Sequence, residues 1–205
     1  MPYEPEKHGR HSIRLPGFDY FRPGFYFITL CISQRRCIFG EIADGEMRLN
    51  KIGLFVAEQS AGLPNHYQNV NLDAFVIMPN HVHGIIQLLD REFSAVGAGF
   101  RPAQIHHHSR PNHGLSEIIR GFKTYTARII NKESGTPGKP VWQHNYYEHV
   151  VRTENDLDAI RRYILENPLK WELDPENPAV RENVSAERGG LKPAPTGADN
   201  WLAVV

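Results

Sequence analysis

The run Phe75-Val76-Ile77-Met78-Pro79-Asn80-His81-Val82-His83-Gly84-Ile85-Ile86-Gln87 sets two histidines on either side of one valine in an apolar, β-branched stretch. Side chains alternate along a strand, so His81 and His83 point to one face and Val82 to the other. Their Cα atoms then lie roughly 6.5–7 Å apart, close enough for both imidazoles to converge on one metal ion. Such a strand would hold a metal on one face and pack into a core with the other. The alternative is chance. A chain with 11 histidines readily contains an HxH, and a second match, His106-His107-His108, lies in a stretch rich in Gly, Pro and polar residues. That triplet reads as solvated loop histidines. The strand context, continued by Ile85 and Ile86, singles out the first pair.

Tyr163 is the second residue that could do chemistry. In Leu157-Asp158-Ala159-Ile160-Arg161-Arg162-Tyr163-Ile164-Leu165-Glu166-Asn167-Pro168, Tyr163 and Asn167 stand four residues apart and share one helix face. If that face meets the histidine strand, Asn167 can offer its carbonyl oxygen to the same ion, and Tyr163 stands beside it as a nucleophile. If not, Tyr163 packs as an amphipathic aromatic near Ile160. Asn167 then merely ends the helix, because a residue before proline is driven from the helical region. Tyr125, on the basic helix that carries Lys123 and Arg128, is a competing nucleophile. Its partner four residues on, Ile129, cannot ligate a metal.

The elements that must position these residues follow from periodicity and punctuation. Phe25 to Ser33 reads as a strand, and Asp44-Gly45 joins Cys37–Ile42 to Glu46–Leu49 as a hairpin. Asn50 caps a helix bearing Ile52, Phe55, Val56 and Gln59. Val70–Met78 and His81–Leu89 are two strands broken at Pro79-Asn80. Residues 90–113 form a long loop. Leu115–Asn131 is a helix striped by Leu115, Ile118, Ile119, Phe122 and Ile129. Val141–Arg152 is aromatic and partly extended, and Thr153 caps a last helix that Pro168 stops. Beyond Trp171 the Pro, Gly, Glu and Asn content predicts a disordered tail. The expected layout is a leader over residues 1–14, one domain over 15–171 and a tail over 172–205. Its class is α+β, an antiparallel sheet with helices packed against one face.

Composition excludes several classes. No run approaches the ~20 apolar residues of a membrane span, and the start of the chain shows no apolar signal region. Cys31 and Cys37 are the two cysteines and cannot build a disulfide framework, so a reduced cytoplasm is the expected setting. A formal net charge of zero argues against a generally basic nucleic-acid binder. The distribution is less even. Between residues 110 and 152, Arg110, Arg120, Lys123, Arg128, Lys132, Lys139 and Arg152 outnumber Glu117, Glu133 and Glu148, and Arg161 and Arg162 follow. Such a basic face suits phosphate-backbone binding, and it equally suits a solvated helix face.

The order of these motifs resembles a known family. Met78-Pro-Asn-His-Val-His-Gly84, then Trp142-Gln-x3-Tyr147-Glu-His149, then Arg162-Tyr163-Ile-x2-Asn167-Pro168 is similar to the single-tyrosine HUH transposases of the IS200/IS605 type, and most of all to the REP-associated tyrosine transposases. The resemblance runs from about Leu15 to Trp171. It implies a ferredoxin-like, RRM-like sheet, with His81 and His83 as metal ligands and Tyr163 as the nucleophile. Asn167 takes the position where IS200-type enzymes carry a metal-binding glutamine. The implied activity is cleavage and strand transfer of single-stranded DNA near REP-like hairpins, through a covalent 5′-phosphotyrosine. The implied cofactor is Mg²⁺ or Mn²⁺, which an open nitrogen and oxygen site suits better than a closed zinc tetrahedron. A monomer or homodimer acting at the nucleoid is expected. Arg120, Lys123, Arg128, Arg161 and Arg162 are the candidates for DNA backbone contacts. Two rivals are a two-histidine phosphodiesterase, whose second His-x-Thr/Ser motif is missing, and a non-catalytic hairpin-binding descendant.

Overall fold

The computed structural model describes residues 17–90 and 113–180. The expected leader, the His106–His108 triplet and the end of the expected tail lie outside the described residues.

Strands β1 (Gly24–Cys31), β2 (Gly40–Ala43) and β3 (Glu46–Leu49) precede helices α1 (Lys51–Ala61) and α2 (Leu63–His66). Strands β4 (Val70–Ile77) and β5 (His81–Leu88) follow, then α3 (Leu115–Glu133), β6 (Tyr147–Val151) and α4 (Glu154–Glu166). Four strands form one antiparallel sheet in the order β4-β5-β1-β6, the ferredoxin-like arrangement. The β2–β3 hairpin stands apart as its own two-stranded sheet. It turns at Asp44 and Gly45, whose φ values of 55° and 76° are the positive pair that a tight hairpin of this hand needs.

Both expected helix caps form. Asn50 Oδ1 accepts from the Ile52 and Gly53 amides at 2.9 and 3.0 Å, and Thr153 Oγ1 accepts from the Asp156 amide at 3.1 Å. Each satisfies amide groups that the first helical turn leaves without a partner.

The sheet is apolar on both faces. Ile28, Leu30, Val82, Ile86 and Leu88 pack with Val56 of α1 and with Leu115, Ile118, Ile119, Phe122 and Ile130 of α3. On the other face Phe27 and Ile85 pack with Leu157, Ile160 and Ile164 of α4. The helices therefore do not share one face. Neighbouring apolar residues at Phe27-Ile28 and Ile85-Ile86 give each side of the central strands a surface to cover.

Two further expectations are corrected. Asn167 keeps a helical backbone (φ −57°, ψ −41°), although proline follows it. Pro168 opens a short 3₁₀ helix, Pro168–Leu173, and proline is tolerated in a first turn, where its missing N–H costs nothing. The domain also continues past Trp171 to Ala179. Asp174 and Asn177 are buried, Asn177 Nδ2 donates to the Trp171 carbonyl at 2.9 Å, and the Arg35 guanidinium grips Glu176 at 2.6 and 3.1 Å. The Pro, Glu and Asn residues that suggest disorder serve here as turn formers and side-chain caps. No helix among the described residues is long and apolar enough to cross a membrane.

Candidate active site

Strand register assembles the centre of the site. Thr29 of β1 lies opposite His83 of β5, and Cys31 lies opposite His81. Both imidazoles are buried on the α4 face, and their Nε2 atoms are 3.0 Å apart. Two nitrogens each about 2.1 Å from one ion, at a right angle, would lie about 3.0 Å apart.

The far side of each ring is held by hydrogen bonds. Asn80 Nδ2 donates to the carbonyls of Arg35 and Glu176 at 3.0 and 2.8 Å, which leaves Asn80 Oδ1 to accept from His81 Nδ1 at 2.8 Å. That network assigns the His81 proton to Nδ1 and the lone pair to Nε2. His83 Nδ1 and Thr29 Oγ1 are 2.8 Å apart. With its proton on Nδ1, His83 would donate to Thr29 and turn a second lone pair toward His81. Two lone pairs facing each other at this distance favour a cation between them.

Helix α4 delivers the remaining groups. The Tyr163 hydroxyl is 3.3 Å from His83 Nε2, and its ring stands edge-on to His83 and Phe27, with centroids 5.2 and 6.0 Å away. Asn167 is 3% exposed, and its side chain lies within hydrogen-bonding reach of both His81 and Tyr163. Asp174 completes the centre. Its Oδ2 is 3.7 Å from His81 Nε2, and one ligand atom from each of His81, His83 and Asp174 lies within 4.8 Å of the others. The donor set fits a divalent ion with mixed nitrogen and oxygen ligands.

The electrostatics agree with that fit. Burial, helped by the nearby Arg35 charge and opposed by Asn167, lowers the pKa of His81 to about 3. Burial and then His81 itself hold His83 well below the ordinary value. Both rings are therefore neutral, the form that ligates metal. Burial pushes the Tyr163 hydroxyl well above its usual range. Asp174 adds to that rise, and Asn167 opposes it.

The structure separates the other sequence candidates. Tyr125 is exposed on α3, against Phe55 at 6.4 Å, and α3 covers the opposite sheet face. Arg161 is engaged by Asp73 at 2.6 and 2.8 Å and by Asp158 at 2.9 Å, which ties α4 to β4. Lys123 Nζ donates to the carbonyls of Gln143, His144 and Asn145 at 2.6, 3.0 and 3.4 Å. Both cations are thus already engaged within the chain. Arg120, Arg128 and Arg162 are exposed. Arg128 lies 5.5 Å from the Tyr125 ring centroid, a cation–π contact.

The sequence reading missed Thr29, Asn80 and Asp174. Thr29 needs the strand register to be found. Asn80 carried a signal, as a polar residue directly before the first histidine. Asp174 follows the short 3₁₀ helix Pro168–Leu173 and carried no local signal.

Comparisons with known proteins agree with this architecture. The family model described as "Transposase IS200 like" matches residues 103–167. A Haemophilus influenzae protein described only as uncharacterized is 39% identical over 171 residues, spanning 82% of this chain and 92% of that relative. A putative REP-associated tyrosine transposase of the same organism is 25% identical over 153 residues, 74% of each chain. Among solved structures, a REP-associated tyrosine transposase bound to a REP hairpin superposes with a TM-score of 0.51 at 18% identity. That match covers 77% of this chain and 73% of the other, and it shows a common fold. The chain belongs to the IS200-like transposase family and is similar to REP-associated tyrosine transposases.

Proposed function

We propose that this protein is a divalent-metal-dependent, single-stranded DNA endonuclease and strand transferase that uses Tyr163 as its nucleophile. The observation that carries the reading is the Tyr163 hydroxyl 3.3 Å from His83 Nε2, itself 3.0 Å from His81 Nε2. A nucleophile and a candidate pair of metal-binding nitrogens thus share one pocket.

His81, His83 and Asn167, with Asp174 adjoining, would hold Mg²⁺ or Mn²⁺, which supplies positive charge to phosphate oxygens and to an ionising phenol. The need for that charge follows from the buried, proton-retaining Tyr163. Tyr163 Oη attacks the phosphorus, and the P–O3′ bond breaks. The phenol loses a proton, and the departing 3′-oxygen gains one. The products are a 5′-phosphotyrosine on Tyr163 and a free 3′-hydroxyl. The new ester replaces one phosphodiester by another, so a second 3′-hydroxyl reverses the step onto a different strand, with no nucleotide cofactor. Phe27 and His83 hold the Tyr163 ring from two sides and limit its swing.

The substrate in this reading is chromosomal single-stranded DNA bearing REP-like hairpins. Support comes from the solved relative with a REP hairpin bound. Exposed Arg120, Arg128 and Arg162 are the proposed backbone contacts.

The test is Tyr163→Phe, which keeps the ring and its packing. The variant folds and binds a hairpin-bearing single strand as wild type does, yet leaves no protein-linked band on a denaturing gel with DNA labelled 3′ of the cut. Tyr125→Phe is the control. A covalent band that survives Tyr163→Phe and disappears in Tyr125→Phe overturns the assignment. Hairpin binding without any covalent band in wild type, at any divalent ion tried, identifies a non-catalytic binder.

A further inference from the structure

The Trp142-Gln143-x3-Tyr147-Glu148-His149 motif has no part in the chemistry above, and the structure shows what its spacing builds. Trp142 pairs with Ile32, and the Gln143 amide donates to the Cys31 carbonyl at 2.9 Å, so Gln143 faces Cys31 across the sheet. Tyr147 faces Thr29. Two steps along β1, from Cys31 to Thr29, thus match four along the edge strand, from Gln143 to Tyr147. Two extra residues bulge from the edge, and Lys123 gathers the carbonyls of Gln143, His144 and Asn145 to hold them there. Cross-strand neighbours share a face. Trp142 and Glu148 therefore turn into the α1/α3 side, where Trp142 Nε1 donates to Thr126 at 2.9 Å and Glu148 is buried. Gln143, Tyr147 and His149 turn to the face that carries His81, His83 and Tyr163.

On that face α4 sits mainly over β4 and β5. Its Arg161 flank reaches Asp73 on β4, and Tyr163 lies on the opposite flank, toward β1 and β6. Tyr147, His149 and Val151 of β6 are only half-buried. Phe27 lies between the two tyrosines, with ring centroids 6.2 Å from Tyr147 and 6.0 Å from Tyr163. An aromatic surface on an edge strand thus runs directly into the candidate nucleophile.

We propose that Tyr147, flanked by Gln143 and His149, is the platform on which an unpaired nucleobase next to the scissile phosphate stacks. This rests on the reading of Tyr163 as a DNA nucleophile. A phosphodiester in a single strand is flexible, and attack needs the phosphorus in line with Tyr163 Oη. One base stacked a single aromatic ring away would fix the neighbouring nucleotide. Stacking tolerates any base because every base has a π-face. The half-buried Gln143 side chain donates through Nε2 to the Ile32 carbonyl at 3.5 Å and keeps a second N–H and its Oε1 for a base edge.

The experiment measures single-strand affinity by fluorescence anisotropy on a Tyr163→Phe background, so that binding is read without cleavage. Oligonucleotides carry one abasic site, scanned along the nucleotides on both sides of the cut. With Tyr147 intact, one abasic position next to the cut weakens binding roughly 5- to 100-fold, the usual worth of one stacked base. Tyr147→Ala weakens binding of the intact strand by a similar factor and makes that abasic position silent. Tyr147→Phe, which keeps the ring, restores both the affinity and the sensitivity. Circular dichroism confirms that each variant is folded. Equal abasic losses in Tyr147→Ala and in the Tyr147 protein would overturn the platform, as would a Tyr147→Phe that behaves like alanine. Absence of single-strand binding by the unmodified protein would instead sink the parent reading.

Discussion

The two faces of strand β5 are built by opposite rules. On one side Val82, Ile86 and Leu88 pack into a cluster of apolar side chains from α1, α3 and neighbouring strands. On the other, within the same eight residues, His81 and His83 are just as buried but are held by Asn80, Thr29, Tyr163 and Asp174. The first face gains from area removed from water and tolerates repacking. The second spends burial on keeping imidazoles neutral and oriented.

The sharpest way to break this comparison is to truncate one residue from each face. His81→Ala or His83→Ala should remove detectable metal-dependent cleavage of a hairpin-bearing single strand, as should excess chelator. Ile86→Ala should cost about 2–5 kcal/mol of stability by leaving a cavity in the closed face. The folded fraction of that variant should still cut. Denaturant unfolding and cleavage, measured together, check both. Replacing His106, His107 and His108 together should leave cleavage intact. Full activity of either single histidine variant would mean that the pair holds no metal.

A smaller effect is expected one step out from the rings. Thr29→Val keeps the shape and removes the oxygen that faces His83 Nδ1. Loss of such an orienting partner lowers metal affinity roughly 10- to 100-fold. Titration calorimetry with Mn²⁺ measures it, and unchanged affinity would show that Thr29 does not orient the ligand.

The same contrast explains what could be read before any coordinates. Local rules placed the Asn50 and Thr153 caps, the Asp44-Gly45 turn and the alternation of His81 and His83, because each depends on residues within a turn of one another. The union of His83 with Tyr163, 80 residues apart, lies beyond spacing rules and was reached through the resemblance. Thr29, 54 residues from His83, required the register itself. The segment around Asp174 was misread because composition reports mean polarity. It does not report which polar groups find partners, and here Arg35, Asn80 and the backbone supply them.

The faces should also differ in their response to acid. His81 in the folded protein protonates only near pH 3, well below the unfolded value of 6.5. The unfolded chain therefore binds the proton first. Stability from this residue is complete above about pH 6.5 and falls as pH drops toward 3, by about 1.4 kcal/mol per unit. The metal-free protein should show this slope in denaturant midpoints taken across that window. His81→Ala should make it shallower, leaving the share that buried His83 contributes, while Ile86→Ala should lower stability at every pH and keep the slope. A slope unchanged by His81→Ala would place the acid sensitivity elsewhere.

The smallest effect separates two adjacent arginines on α4. Arg161 is clasped by Asp73 and Asp158, whereas Arg162 is exposed. A cation already matched by carboxylates releases few counterions from DNA when a strand binds, because its charge is largely neutralised beforehand. An exposed cation that contacts one phosphate contributes nearly one unit to the logarithmic salt dependence of affinity, less for a single strand than for a duplex. Arg162→Ala should therefore reduce the salt slope of hairpin binding by about 0.7–0.9 and leave the unfolding midpoint in place. Arg161→Ala should do the reverse: it frees the α4 flank from β4, lowers the midpoint and leaves the salt slope near wild type. Anisotropy titrations over a series of salt concentrations, beside thermal melts, distinguish the two. If both variants changed the slope equally, Asp73 would have to release Arg161 when DNA binds, and the contact between α4 and β4 would be part of substrate recognition.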